Sequence, residues 1–285
     1  MDKFAAFILS HGRPDNVKTY KTLRGCGYTG RIVVIVDDQD PHLEGYRERF
    51  GDELYVFDKA HAMAITDACD NFGKKGTPLY ARNMCHSICA ELGLQYFIEL
   101  DDDYHYFEYR FDNELRYKTN GKIKSLDLIF SAMVDFYKAT PVLCLCMAQG
   151  GDFIGGRDNI NGRKVFLSRK AMNSFVCGVD RPFQFVGTLN DDTNTYVTQN
   201  VRGGLMTTIN MVSLCQSPTQ QNDAGMTDIY LQFGTYAKSM YTVIMQPSSV
   251  RVQAMGDRMT RLHHRVDWNM TAPKIVSEQL RKASQ

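Results

Sequence analysis

Apolar and polar residues alternate in short blocks along the chain. Runs rich in β-branched and aromatic residues stand at 4–9, 31–36, 54–57 and 96–100, and each reads as a buried strand. Between them the pattern predicts a helix that opens near Pro14 or Asp15 and breaks at Gly27, Thr29 and Gly30. A second helix, from about 79 to 92, feeds directly into the fourth run. Strands alternating with helices imply an α/β fold, a mostly parallel sheet flanked by helices with ligands at the carboxyl ends of its strands.

Beyond residue 110 the alternation loosens. Residues 112–121 are polar and turn-rich, and 125–138 form an amphipathic helix whose Leu126, Ile129, Met133 and Phe136 recur at core spacing. Runs at 142–147, 164–168, 206–214 and 250–254 read as strands, and 193–201 and 230–244 as helices. Two long polar loops separate them, 149–163 with Arg157 and Arg163 followed by Lys164, and 215–225. Loops of that length are functional or disordered.

The polar residues that end the early strands are the candidate chemistry. Ser10, His11 and Arg13 follow the first, Asp37 and Asp38 the second, and Asp101, Asp102 and Asp103 the fourth. One crevice across adjacent strand ends can hold a base, a ribose and a pyrophosphate. Asp37 or Asp38 would accept from ribose hydroxyls or a base N–H, and Arg13 would meet phosphate; Asp38 or Asp40 can instead cap the turn before Pro41. Arg82, in the first turn of its helix, would pair with Asp37, Asp101 or a phosphate, or be a plain surface arginine. Side chains two apart on an extended chain share a face, so Asp101 and Asp103 stand together. Two carboxylates so placed repel unless a cation lies between them, which marks a divalent-metal site; the alternative is a solvated acidic loop. Asp102 points to the other face, to support the loop or contact ribose.

Composition narrows the class further. A chain of 285 residues, 44% hydrophobic and 23% charged, is ample for one large globular domain. A net charge of +1 excludes a global basic field, so a nucleic-acid partner must be met by a local patch. The one locally basic stretch is 255–282, with Arg258, Arg261, Arg265, Arg281 and Lys282 outnumbering Asp257, Asp267 and Glu278. The apolar run 4–9 is too short for a signal peptide or membrane span, so no membrane partner and a cytoplasmic setting are expected. The eight cysteines form no Cys-x-x-Cys pair and are expected to be reduced thiols used as small hydrophobes.

Taken in order, Ser10-x-x-Arg13-Pro14, Asp37-Asp38, Ala81-Arg82-Asn83 and Phe97-Ile98-Glu99-Leu100-Asp101-Asp102-Asp103 resemble the nucleotide-binding half of a GT-A, Rossmann-like glycosyltransferase. The resemblance implies one continuous domain, with a nucleotide-sugar-binding half at 1–110 and an acceptor-binding half at 111–285 that ends in a basic C-terminal elaboration. It implies Mn²⁺ or Mg²⁺ on Asp101 and Asp103, the nucleoside and phosphates near Ser10, His11, Arg13, Asp37, Asp38, Arg82 and Asp102, and a catalytic base at Asp191 or Asp192. Asp191 or Asp192 equally suits an ordinary N-cap before the helix 193–201. His263 or His264 would add a metal ligand, or simply pack near Trp268. A haloacid-dehalogenase phosphatase would carry its aspartates on the first strand, and a sugar-nucleotide pyrophosphorylase needs a Gly-rich loop where 10–16 has one glycine.

The segments Phe7-Ile8-Leu9-Ser10-His11-Gly12-Arg13-Pro14 and Ile35-Val36-Asp37-Asp38 are similar to phage glycosyltransferases that decorate 5-hydroxymethylpyrimidines in DNA, the TET-associated group. That likeness implies a UDP-sugar donor and a DNA acceptor met through the basic loops and tail, in the host cytoplasm. The competing expectations are a glycosyltransferase acting on a saccharide or small molecule, and a non-catalytic nucleic-acid-binding module.

Overall fold

Every residue of the first strand is buried, and its side chains divide by parity between two cores. Phe4, Ala6 and Ile8 face one, Ala5, Phe7 and Leu9 the other. This is the period of two expected of a strand covered on both faces. The computed structural model describes residues 2–70, 76–114, 116–149, 165–166, 171–216, 227–255 and 261–281.

Its strands are β1 Phe4–Leu9, β2 Arg31–Asp37, β3 Leu54–Phe57, β4 Tyr96–Asp101, β5 Tyr104–Phe111, β6 Tyr117–Lys122, β7 Cys144–Gln149, β8 Val165–Phe166, β9 Ser174–Gly178, β10 Met206–Gln216, β11 Val250–Met255 and β12 Arg261–Val266. Its helices are α1 Lys18–Gly25, α2 Leu43–Phe50, α3 Lys59–Ile65, α4 Leu79–Glu91, α5 Leu126–Ala139, α6 Asp191–Val201, α7 Thr227–Met245, α8 Trp268–Thr271 and α9 Glu278–Arg281. Ten strands form one sheet in the order β3-β2-β1-β4-β9-β7-β10-β5-β6, with β8 beside β10; β11 and β12 form a separate ribbon. The β3-β2-β1-β4 half is parallel, and the rest is antiparallel apart from the β7–β10 pair. The α/β class expected from the sequence is the one observed.

Several elements depart from the pattern. The helix expected at Pro14 begins there only as a single 3₁₀ turn, Pro14–Asn16, before α1. The polar stretch 112–121 contains most of β6, which exists because β5 offers it an edge. Strand β9 was not anticipated; SFVCG is only five residues long, set between Asn173 and the turn residues Asp180 and Pro182, yet it fills the sheet between β4 and β7. Strand β12, RLHHRV, reads as a basic tail until β11 pairs with it. Helices α2 and α3 are likewise supplied by the fold. The loop with Arg157 and Arg163, most of 215–225, and the basic residues Lys164, Arg258 and Lys282 lie outside the described residues.

Leu23, Leu126, Phe130 and Tyr137 of α1 and α5 cover one face of the sheet, and Tyr80, Ile88, Tyr196 and Val197 of α4 and α6 cover the other. Gly27 lets the chain pass close to the start of α5. Its φ is +82°, and a Cβ there would stand 2.1 Å from the carbonyl oxygen of Lys124. All eight cysteines are free thiols, six of them buried. Among the described residues no helix is long and apolar enough to cross a membrane.

Candidate active site

Strand β4 stops at Asp101, and Asp102 and Asp103 make the turn into β5. Thr19 of α1 pins that turn. Its N–H donates to the carbonyl of Asp102 (3.1 Å), and its hydroxyl donates to the carbonyl of Asp101 (2.6 Å) and accepts from the N–H of Tyr104 (2.9 Å). Because the chain turns here, the strand alternation expected to align Asp101 with Asp103 ends at Asp101.

Asp102 is buried and holds the loop after β1. Arg13 grips it with two parallel bonds, Nε to Oδ2 at 2.8 Å and Nη2 to Oδ1 at 2.6 Å, and the Ser10 hydroxyl donates to Oδ2 at 2.5 Å. Forked pairing of this kind fixes geometry as well as charge. Tyr46 of α2 completes the staple, with its hydroxyl 2.7 Å from Ser10 Oγ and accepting from the Arg13 N–H. Of the two roles expected for Asp102, loop support is what the structure displays. Ser10 and Arg13 are brought to it, and the Arg13 side chain remains 36% exposed.

A second cluster closes the end of β2. Asp37 lies 3.0 Å from His11 Nδ1 and 3.0 Å from the buried Lys59 Nζ. Burial pushes the Asp37 carboxyl up, but the bonds from His11 and Lys59 outweigh it and its pKa falls. The His11 ring moves up from 6.5, chiefly through its bond to Asp37. Asp40 accepts from the N–H groups of Gly12 (2.7 Å) and His42 (2.8 Å), which makes it the turn cap. Asp38 is exposed, and one oxygen accepts from the N–H of Lys59. Nothing in the sequence signals Lys59.

The third cluster joins the two halves. Arg82, on the first turn of α4, is 3% exposed and lies between the rings of Phe175 and Phe185, 5.3 and 5.4 Å away. It donates to Asp101 Oδ1 at 3.1 Å and stands 3.4 Å from Glu99 Oε1 and 3.1 Å from Asp191 Oδ2. It is therefore neither a surface arginine nor a partner of Asp37. Asn83 clamps the same junction, donating to the carbonyl of Phe185 (3.0 Å) and accepting from its N–H (2.7 Å). Glu99 was missed, although a charged residue inside an apolar strand, two before Asp101 and so on its face, was a usable signal.

Here acidic groups outnumber the buried cation, and their pKa values record it. Burial pushes Glu99 up to about 8 against the pull of Arg82. Asp191 rises to about 6 through burial, helped by Asp192 and Asp101. Asp101 also rises through burial, with Asp102 and Asp192 adding repulsion, and Asp103 reaches about 6 through burial and the charges of Asp101 and Asp102. Asp101 keeps 27% of its side chain open to solvent. Asp101 and Asp103 thus offer hard oxygen ligands whose repulsion the arginines only partly offset, a donor set that fits a Mg²⁺- or Mn²⁺-type ion. Among the described residues no three His, Cys, Asp or Glu side chains gather as a ready-made cage, so His263 and His264 do not complete one with the aspartates.

Asp191 and Asp192 open α6 after Asn190, whose φ of 58° and ψ of 37° are left-handed. Asp192 Oδ1 accepts from the N–H of Thr193 at 2.7 Å, but the N-cap is Asn190, so the N-cap expected at Asp191 or Asp192 is not what either aspartate supplies. Asn190 donates to the carbonyl of Lys238 (2.9 Å) and to Thr242 Oγ1 (3.1 Å) on α7, and lies 3.5 Å from His264 Nδ1. His263 Nδ1 is 2.8 Å from the carbonyl of His264. The two histidines therefore belong to the ribbon beside α6.

The profile of the TET-associated glycosyltransferase family matches residues 4–225. No curated protein sequence matches the chain. Among solved structures, S. aureus TarS residues 1–349 in complex with UDP is similar at 10% identity and a TM-score of 0.47, over 85% of this chain and 65% of that one. The mannosyltransferase PcManGT from Pyrobaculum calidifontis, in complex with GDP-Man and Mn²⁺, is similar at 10% identity and a TM-score of 0.46, over 85% of this chain and 73% of that one. The chain thus spans just under two thirds of that TarS structure.

Proposed function

The chain belongs to the TET-associated glycosyltransferase family, and from that premise we propose that it works as a GT-A enzyme, moving a sugar from a UDP-sugar to the hydroxyl of a 5-hydroxymethylpyrimidine in DNA. The observation that carries the reading is the meeting of Asp101 and Asp191 on the buried guanidinium of Arg82, 3.1 Å from each. A donor-side and an acceptor-side carboxylate are thereby held against one fixed cation. Such preorganisation supports group transfer between two bound substrates.

Asp101 and Asp103 would hold Mn²⁺ or Mg²⁺, which when bound offsets the charge gathering on a leaving diphosphate. His11 and Arg13, partly exposed at the rim, present N–H donors to the donor's nucleotide. Asp191, with its pKa raised to about 6, suits general-base removal of the acceptor hydroxyl proton near neutral pH. Asp192 spends an oxygen on its own helix. Asp191→Asn should therefore lower kcat by about 10²–10⁴-fold, whereas Asp192→Asn should mainly cost stability, about 0.3–1 kcal/mol.

The test is incubation with Mn²⁺, a panel of UDP-sugars and hydroxymethylated or unmodified DNA, followed by digestion and nucleoside mass spectrometry. A glycosylated nucleoside from the hydroxymethylated DNA alone is expected. Transfer to free saccharides with none to DNA would overturn the acceptor, and full activity in Asp101→Ala would overturn the metal site. A chain that UDP with Mn²⁺ fails to protect against thermal unfolding is a binding module instead.

A further inference from the structure

The ribbon of β11 and β12 has two unlike faces. Val250, His264 and Val266 are buried on the inner one, where the Ser239 hydroxyl of α7 donates to the carbonyl of Leu262 at 3.3 Å. On the outer face the register sets Arg251 directly opposite Arg265 and Gln253 opposite His263, and both arginines are exposed. Like charges directly opposite in an antiparallel pair are destabilising. Neither strand contains an aspartate or glutamate to relieve them. Arg265 donates to the amide oxygen of Gln253 at 2.8 Å, a neutral partner, and among the described residues the Arg251 side chain has no hydrogen-bond or ion-pair partner.

We propose that this outer face is a docking surface for the phosphate backbone of duplex nucleic acid. Two guanidiniums held side by side on a chain of net charge +1 form a local cationic ridge, and phosphate oxygens are the partners their fork geometry fits. A two-stranded ribbon has the width to enter a major groove, with Gln253 and His263 beside the arginines as further hydrogen-bonding groups. The inner face ties the ridge to the candidate site, since His264 lies 3.5 Å from Asn190, the residue before Asp191. The catalytic meaning of the ridge rests on the acceptor proposed above, while the charge argument does not.

The test compares wild type with Arg251→Glu/Arg265→Glu, using fluorescence anisotropy on an unmodified duplex of about 20 base pairs, enough to span the ribbon, across a salt series. The variant should bind on the order of tenfold or more weakly, and its slope of log K against log salt should be shallower by about two. The Arg251→Lys/Arg265→Lys variant should keep the slope, because lysine keeps the charge. Protection by UDP with Mn²⁺ should be unchanged in both; if the charge reversal fails to fold, Arg251→Gln/Arg265→Gln answers the same question. Equal duplex binding and salt slope in wild type and variant would overturn the ridge, as would ribbon-dependent binding of phosphatidylserine vesicles or polyglutamate with none of duplex. The two proposals fail separately. Ribbon-dependent binding without sugar transfer removes the acceptor and keeps the ridge, and transfer to DNA with duplex binding and salt slope unchanged by the charge reversal does the opposite.

Discussion

Arg82 shows how much one residue can decide. Three carboxylates lean on its single charge, and its own surroundings are two aromatic rings and the floor of the sheet. Removing one partner of a buried ion cluster leaves uncompensated charge, so Arg82→Ala should cost about 3–5 kcal/mol in urea unfolding. A loss below 1 kcal/mol would mean the carboxylates are neutral and indifferent to it. His86, four residues on, carries a different lesson. Its ring packs edge-on against Phe97 and Phe183, and burial holds its pKa at about 4, below the ordinary 6.5. The native ring stays neutral while the unfolded chain takes up a proton below pH 6.5. Stability from this site is therefore complete above 6.5 and falls as the pH drops toward 4, with a limiting slope of about 1.4 kcal/mol per pH unit. The carboxyls raised around Arg82 act in the opposite sense, so the comparison must be between variants. His86→Phe should show a smaller loss of stability than wild type between pH 6.5 and 4, and identical losses would refute the assignment.

At the scale of elements, the end of α6 and the segment leading into α9 are latched by backbone. Gly203 has φ +85°, its carbonyl accepts from the N–H of Ser277 at 2.8 Å, and a Cβ there would meet that same nitrogen at 2.9 Å. Backbone cannot swing aside as a side chain would. Gly203→Val should therefore unlatch residues 275–281, and limited proteolysis should cut there faster than in wild type. A second element-scale case is the turn after β4. It was legible as an acidic motif, but Thr19 and Arg13 decide what each aspartate does. Both act from the far side of the chain's first loop, so no local pattern assigns Asp102 to Arg13 and leaves Asp101 and Asp103 at the opening.

For the whole molecule, the sheet is continuous across residue 110. Strand β4 pairs with β9, and β5 pairs with β10, so the first half borrows its partners from the second. A fragment of residues 1–110 should therefore fail to give a cooperative thermal transition, because β4 would be left as an unpaired edge, β5 would have no partner strand, and Glu99 and Asp101 would lose the α6 side of their cluster. A fragment that melts cooperatively and binds UDP with Mn²⁺ would show the halves to be separable.

The sequence by itself determined the parallel half of the sheet, with its polar residues at the carboxyl ends of β1, β2 and β4. Strand parity and helix spacing are set by neighbours a few residues away, and apolar runs of this length leave the chain little alternative. It also made the aspartates conspicuous, since adjacent like charges are costly wherever they fall. Tertiary structure alone decided the rest: β9 filling the gap beside β4, RLHHRV becoming a strand, Arg82 buried among Glu99, Asp101 and Asp191, and Arg13 forked onto Asp102. Those outcomes depend on groups from six to more than a hundred residues apart in the chain competing for the same charge or the same strand edge, and such competition is settled only by packing.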